Sequence, residues 1–234
     1  MIRSVPQTGS TNADLLEAAR SGAPDGVWLR ADRQSGGKGR MGRAWESPAG
    51  NFYGSHLVRL QPHDPPAPSL AFVTAVALCE VLMAQAPLIP FTIKWPNDIL
   101  IGPAKLCGIL LERTEDAVVI GIGVNLAHHP EGLPRAVTSL AAQGVTPLSP
   151  TAFLGDLAPH FAHWLSVWRK DGMGAVTRRW EALAHPRGTP LTVSLPDGTQ
   201  LEGTYDGLSA DGALCLRLAD GSIRAIHAGD VFLV

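Results

Sequence analysis

Between Ser10 and Gly22 the apolar positions Leu15, Leu16, Ala18 and Ala19 form one helical stripe. Before it, Ser10-Thr11-Asn12-Ala13-Asp14 reads as a helix start, with Thr11 capping, Asp14 three positions on and Gly22 as the stop. Ser69 to Gln85 is apolar at nearly every helical position, among them Leu70, Val73, Val76, Ala77, Cys79, Val81 and Leu82, which predicts a buried helix. Short apolar runs predict strands at 27–31, 52–58, 91–95 and 118–126. Ile99–Ile101 and Lys105–Glu112 read as a hairpin about Gly102-Pro103, with Pro96-Asn97-Asp98 as a tight turn before it. Residues 127–148 read as a loop, 150–169 as a helix that Pro159 kinks or splits, and 176–184 as a further helix.

After Pro186 the texture changes. Strands near 191–195, 201–205, 214–218 and 223–226 alternate with Asp197-Gly198, Asp211-Gly212 and Asp220-Gly221, the signature of tight turns. This predicts a small β-barrel, too small to be secure alone and therefore docked on the larger part.

Of the 234 residues, 45% are hydrophobic and 17% charged, which supports a packed core and disfavours disorder. The formal net charge is -2, so no basic coat for nucleic acid covers the molecule. The three cysteines, Cys79, Cys107 and Cys215, lie far apart without a CxxC pair, so neither a disulfide framework nor a zinc site is expected. All three fall in apolar runs and read as buried inert thiols, consistent with a cytoplasmic protein. The N-terminus shows no apolar signal core, and every apolar run is interrupted before membrane-spanning length.

The positive charge is concentrated in Ser35-Gly36-Gly37-Lys38-Gly39-Arg40-Met41-Gly42-Arg43, between two predicted strands. Its glycines let the backbone approach a ligand, and its cations can hold an anion. A solvated surface loop has the same composition, so other segments must decide. Ser10, Thr11 and Asn12 serve either as caps or as polar ligand contacts at a helix start.

Four segments together, Ser10-Thr11-Asn12, Gln34–Arg43 with Trp45, Lys94-Trp95-Pro96-Asn97-Asp98 and Lys105–Glu112, resemble the biotin–protein ligases, closely over residues 8 to about 126. The resemblance implies an α+β fold: a mixed central sheet with helices, like the catalytic domain of class II aminoacyl-tRNA synthetases and biotin ligases, over 1–185. A C-terminal SH3-like β-barrel over 186–234 completes it. It implies activation of biotin by ATP as biotinyl-5'-AMP, then transfer to a lysine of a biotin carboxyl carrier domain.

By this likeness Ser10, Thr11, Asn12 and Gln34 hold the ureido head of biotin. Lys38, Gly39 and Arg40 lie over its carboxylate and the α-phosphate, and Arg43 supports the phosphates or the loop. Trp45 packs against adenine once the loop closes, and Lys105 aligns carboxylate and phosphoryl group. Asp98 assists deprotonation of the acceptor lysine, places Mg²⁺, or only forms the turn. Lys94 reaches a phosphate or, with Trp95, only shapes the strand; Asn97 belongs with the nucleotide, and Asn125 lines the adenylate pocket or makes a strand-end hydrogen bond. Mg²⁺ is expected with ATP, and no metal ligand set stands out. The loop is expected to be mobile without ligand and ordered with it.

Two departures stand out. Lys38 occupies a position where the family usually has arginine, keeping the charge and losing the two-pronged fork. No arginine follows Gly229-Asp230, which puts ATP contacts from the barrel in question. The ligase motifs begin within ten residues of Met1, so no DNA-binding helix-turn-helix domain is expected, nor a membrane partner. A monomer or a homodimer fits, the latter through an edge strand at 117–126.

Two other readings compete. A lipoate or octanoate ligase or transferase of the same fold could use Cys107, which alternation puts on the same strand face as Lys105. A phosphate- or RNA-binding module would use residues 38–43 and need no biotin.

Overall fold

The computed structural model describes residues 1–233. The chain begins with β1 (Ile2–Thr8), α1 (Thr11–Arg20), β2 (Trp28–Gln34), β3 (Phe52–Arg59) and α2 (Leu70–Gln85). It continues with β4 (Phe91–Lys94), β5 (Asp98–Ile101), β6 (Ala104–Thr114) and β7 (Ala117–Val124). Then come α3 (Pro150–Asp171), α4 (Met173–Leu183), β8 (Pro190–Ser194), β9 (Gln200–Leu208), β10 (Leu214–Arg217), β11 (Ile223–Ile226) and β12 (Asp230–Leu233).

Seven strands form one mixed sheet in the order β1-β2-β3-β7-β6-β5-β4, with β1 parallel to β2 and every other pair antiparallel. Strand alternation sorts its two faces. Trp28, Val58 and Val118 enter the main core beneath α2, α3 and α4, whereas their neighbours Leu29, Leu57 and Val119 pack against Leu15 and Ala19 of α1. The face under α1 also carries the site, at the helix N-terminus.

α2 is the centre of the main core, with twelve of its sixteen residues buried. Together with the turn before it, Ala67–Gln85 is long and apolar enough to cross a membrane by length and composition, contrary to the expectation that no run is. Here that surface is buried between the sheet and α3 and α4. A helix hydrophobic all round suits such a position.

α3 runs as one helix through Pro159, so the expected split does not occur. Pro159 and Gly155, whose carbonyl loses its helical partner, both lie on the exposed side, where the free carbonyl is open to solvent. Phe153, Leu154, Leu157, Phe161 and Trp168 anchor both halves in the core.

The sequence pattern does not predict the polar edge strand β1 or the terminal β12. β7 lies between β3 and β6, so it is interior and offers no free edge for the expected pairing across a dimer. The C-terminal strands form a second sheet, ordered β11-β10-β9-β8-β12, with β11 and β12 at its edges and no pairing between them among the described residues. It is therefore an open sheet rather than a closed barrel. Leu191, Val193, Leu214, Leu216 and Val231 join the main core, so the two sheets share one continuous interior. Trp95 Nε1 donates across this contact to the Gly212 carbonyl at 3.1 Å.

Candidate active site

A cavity of about 290 Å³ opens over β6 and β7, beside the start of α1. Its floor is made by Gly108 and Gly123, directly opposite each other across the β6–β7 ladder. A Cβ on Gly123 would lie 2.5–2.7 Å from the Trp45 indole, and one on Gly108 would lie 3.1 Å from it. The missing side chains are what let an aromatic ring rest on the sheet.

The closed end is polar. Ser10 caps α1 by accepting from Ala13 N, so the cap is one residue earlier than expected and Thr11 opens the helix. Thr11 N–H donates to Gln34 Oε1 at 2.8 Å, and Gln34 Nε2 donates to Ser47 Oγ at 3.2 Å.

The roof is the glycine-rich loop. Lys38 and Ala44 form a bridge, and Gly39 N–H donates to Arg43 O at 2.7 Å, making a small hairpin. Gly37 is required beneath it, since a Cβ there would lie 2.5 Å from Trp45 O. Arg40 donates to Gly229 O at 3.2 Å and to Asn97 Oδ1 at 3.4 Å, and Arg43 pairs with Asp230. Lys94 Nζ donates to Val231 O at 2.9 Å. The loop is thus latched to the C-terminal sheet, and residues 230–233 line the cavity. The absence of an arginine after Gly229-Asp230 does not remove this segment from the site.

Lys105 and Asp98 form a buried ion pair in the wall, and Lys94 adds a second cation to Asp98 at 3.4 Å. Lys105 Nζ also lies 5.5 Å from the Trp45 ring centroid, a cation–π arrangement. Burial alone would raise the Asp98 carboxyl, but Lys105 and Lys94 hold it below the usual carboxylate range. Burial pushes the Lys105 ammonium below its usual value; Asp98 opposes this, while Arg135 and Lys94 push the same way. Six cations line the cavity against two carboxylates, Asp98 and Asp230, so the site favours an anionic ligand.

Of the residues expected here, Ser10, Thr11, Asn12, Gln34, Lys38, Gly39, Arg40, Arg43, Trp45, Lys94, Asn97, Asp98 and Lys105 all line the cavity. Asn125 does not. Its amide donates to Thr138 O at 3.0 Å and its backbone pairs with Leu106 and Leu140, so it ties the 127–149 segment to the sheet. Asn97 Nδ2 likewise donates to Ile109 O while its oxygen faces Arg40.

The proposed sharing of a face by Lys105 and Cys107 is also corrected. Register slips between Ile99 and Leu100, so Leu100 faces Lys105 and Ile99 faces Cys107. This bulge sends Lys105 into the cavity and Cys107 into the core, where burial pushes the thiol far up. Burial also pushes Cys79 up to about 12. Cys215 is only half-buried, contrary to expectation.

Sequence reasoning missed Arg135, which the 127–149 loop brings to the cavity, and Ser55 and Glu112, which support its polar end. Only the glycines of β7 signalled a floor, since glycine inside a strand marks close approach.

Comparison with known proteins agrees with this geometry. Residues 4–125 match the biotin/lipoate A/B protein ligase family, and residues 190–234 match the biotin protein ligase C-terminal domain. The biotin–[acetyl-CoA-carboxylase] ligase of Paracoccus denitrificans is 38% identical, with 97% of this chain and 98% of that protein aligned. Its counterpart from Mycobacterium tuberculosis is 36% identical, with 97% and 86% aligned. The biotin protein ligase of Aquifex aeolicus, solved with biotin and ATP, superposes with a TM-score of 0.88 at 25% identity, covering 100% of this chain and 99% of that one. With its motifs gathered around one cationic cavity and a matching relative along nearly its whole length, the chain belongs to the biotin/lipoate A/B protein ligase family.

Proposed function

We propose that the chain is an ATP-dependent biotin–protein ligase, which joins biotin to AMP and then to a lysine of a biotin carboxyl carrier domain. The observation that carries this is the linear order of the cavity. A polar end at Thr11 and Gln34 leads past the Trp45 indole, seated on the Gly108–Gly123 floor, to the buried Lys105, with the arginines of the loop overhead. Biotin has the matching order: a polar ring system, an apolar chain and a carboxylate.

In the first step a biotin carboxylate oxygen attacks the α-phosphorus of ATP and the bond to pyrophosphate breaks. In the second, an uncharged lysine amine attacks the acyl carbon, the bond to AMP breaks, and the new amide nitrogen loses its proton to solvent. Both steps concentrate negative charge, which fixed buried cations stabilise more strongly than water does. Lys105 is assigned to the carboxylate and the α-phosphoryl oxygen, and Lys38, Arg40 and Arg43 to the phosphates. Arg40 and Arg43 exchange their present partners for phosphate oxygens. Asp98, held ionised by two lysines, is a poor proton acceptor and is assigned to orienting Lys105.

Among the described residues no three metal-ligating side chains come together, and both carboxylates of the cavity already carry cations. Mg²⁺ would therefore arrive on the ATP phosphates. The open C-terminal sheet, a meander whose last strand returns to its first, is read as an SH3-like unit over 186–234, docked on a catalytic unit over 1–185. The free cysteines accord with a reducing, cytoplasmic setting.

The test is incubation with ATP, Mg²⁺, biotin and a carrier domain, followed by mass spectrometry. One biotinyl group should appear on one carrier lysine, with biotin-dependent ATP–pyrophosphate exchange. Octanoyl or lipoyl transfer in its place would move the chain to the other branch of its family, and no exchange with any of these acids would end the proposal.

A further inference from the structure

Behind the polar end of the cavity a line of hydrogen bonds runs from α1 to β6. Glu112 Oε2 accepts from Asn12 Nδ2 at 2.7 Å, Asn12 Oδ1 lies 2.6 Å from Ser55 Oγ, and Ser55 Oγ lies 2.7 Å from Thr11 Oγ1. Thr11 Oγ1 in turn lies 3.0 Å from Gln34 Oε1. Thr11, Asn12 and Ser55 are at most 5% exposed, so the middle of the line is shielded from bulk water, while Glu112 and Gln34 at its ends are half-buried.

The direction of every bond follows from the Glu112 end. A carboxylate only accepts, so the Asn12 nitrogen must face it and the Asn12 oxygen must face Ser55. An amide oxygen also only accepts, so the single hydroxyl hydrogen of Ser55 goes to Asn12. Thr11 then has one hydrogen for two oxygen neighbours, and the approach to Ser55 is the shorter, 2.7 Å against 3.0 Å to Gln34, so its hydroxyl is assigned to donate to Ser55. The hydrogen of Thr11 is thereby used, and its oxygen meets the cavity as an acceptor. Gln34 Oε1 is an acceptor too, since it takes the Thr11 backbone N–H. With the Thr11 hydrogen turned to Ser55, the 3.0 Å contact between Thr11 Oγ1 and Gln34 Oε1 is left without one. An N–H donor offered from the cavity relieves their repulsion.

Resting on the assignment of this cavity to biotin, we infer that Glu112 and Ser55 are positioning residues that fix this end of the pocket as an acceptor of ureido N–H groups. Neither residue lines the cavity; they act through Asn12 and Thr11. In Glu112→Gln the amide can either accept or donate, so the chain can run in both directions. The pocket then loses its preset polarity while the shape of the side chain is kept.

The experiment is calorimetric titration of the full chain with biotin and with two cyclic-carbamate analogues, each having one ureido N–H replaced by oxygen. Wild type should bind biotin and reject at least one carbamate. Glu112→Gln should weaken biotin by about tenfold, the scale of one hydrogen bond. It should also narrow the preference over that carbamate by roughly threefold or more, because a reversed chain can donate. Ser55→Ala cuts the chain, so adding Glu112→Gln to it should cost less than about twofold further. Equal weakening of biotin and carbamate would reduce Glu112 to a structural role and overturn the inference, as would multiplying losses in the double variant or wild-type affinity in Glu112→Gln. Wild type that binds no biotin would remove the functional assignment itself, and this inference with it.

Discussion

Lys105 and Gly108 stand side by side on the cavity face of β6, three residues apart where simple alternation puts neighbours two apart: a Cβ on Gly108 would lie 3.2 Å from Lys105 Nζ. The bulge between them turns the ammonium toward the ligand and leaves Cys107 in the core. It also brings Lys105 to Asp98, whose second oxygen is held by Lys94, leaving one cation in excess inside the wall.

Lys105→Ala should lower biotin-dependent ATP–pyrophosphate exchange by about a hundredfold or more, the scale of losing one preorganised charge partner. The fold should persist because Asp98 keeps Lys94. Exchange rates set beside a thermal melt decide it; a variant exchanging within a few-fold of wild type would strip Lys105 of its assigned role.

Gly123→Ala should displace Trp45, whose ring atoms would lie 2.5–2.7 Å from the new Cβ. Biotin affinity should fall by roughly tenfold, since overpacking of this kind costs about 1–3 kcal/mol. The same substitution placed in Trp45→Ala should cost much less. Titration of both backgrounds checks this, and equal losses in the two would show that the indole is not what the glycine accommodates.

Asp230→Asn should loosen the loop, because Arg43 loses its ion pair and Arg40 its nearby carboxylate. Trypsin should cut after Lys38, Arg40 or Arg43 several-fold faster than in wild type, as expected when a local opening equilibrium shifts by about 1 kcal/mol. Biotin with ATP should slow cleavage in both proteins. Cleavage rates indifferent to the substitution and to ligand would mean that the latch does not hold the loop.

His56 packs in a triangle of rings with Trp28, tilted at 4.2 Å between centroids, and Phe161, edge-on at 4.7 Å. Burial lowers its pKa to about 3. Between about pH 6.5 and 3 the unfolded chain binds a proton at this residue that the folded chain does not. Stability therefore declines as pH falls through that window, by up to about 1.4 kcal/mol per unit from this residue. His56→Phe keeps the triangle of rings and should flatten the slope. Urea unfolding at pH 7, 5.5 and 4.5 measures it; parallel slopes for the two proteins would locate the acid sensitivity elsewhere.

The site was legible wherever a residue's chemistry is expressed close to its own position in the chain. The loop cations, the helix start at Ser10–Asn12 and the Lys94–Asp98 segment each carry local signals, and these meet in one cavity. Residues whose role depends on a partner far along the chain were hidden. Ser55 is an ordinary strand serine until Asn12 and Thr11 arrive, 43 and 44 positions away. Arg135 sits in a loop without periodicity, and the polar strand β1 shows no pattern because both its faces are largely exposed.

The sequence alone determined the buried helix and a cationic, glycine-rich loop, because apolar spacing and local charge act over a few residues; the class of fold and the kind of ligand followed from the family resemblance that its four motifs carry together. Only the tertiary structure decided where Lys105 and Cys107 point, that Asn125 is a structural tie, and that Asp230 clasps the loop. These outcomes depend on strand register and on contacts between distant segments. A one-residue slip in pairing turns a side chain from core to cavity, and nothing in the local sequence of β6 announces that slip.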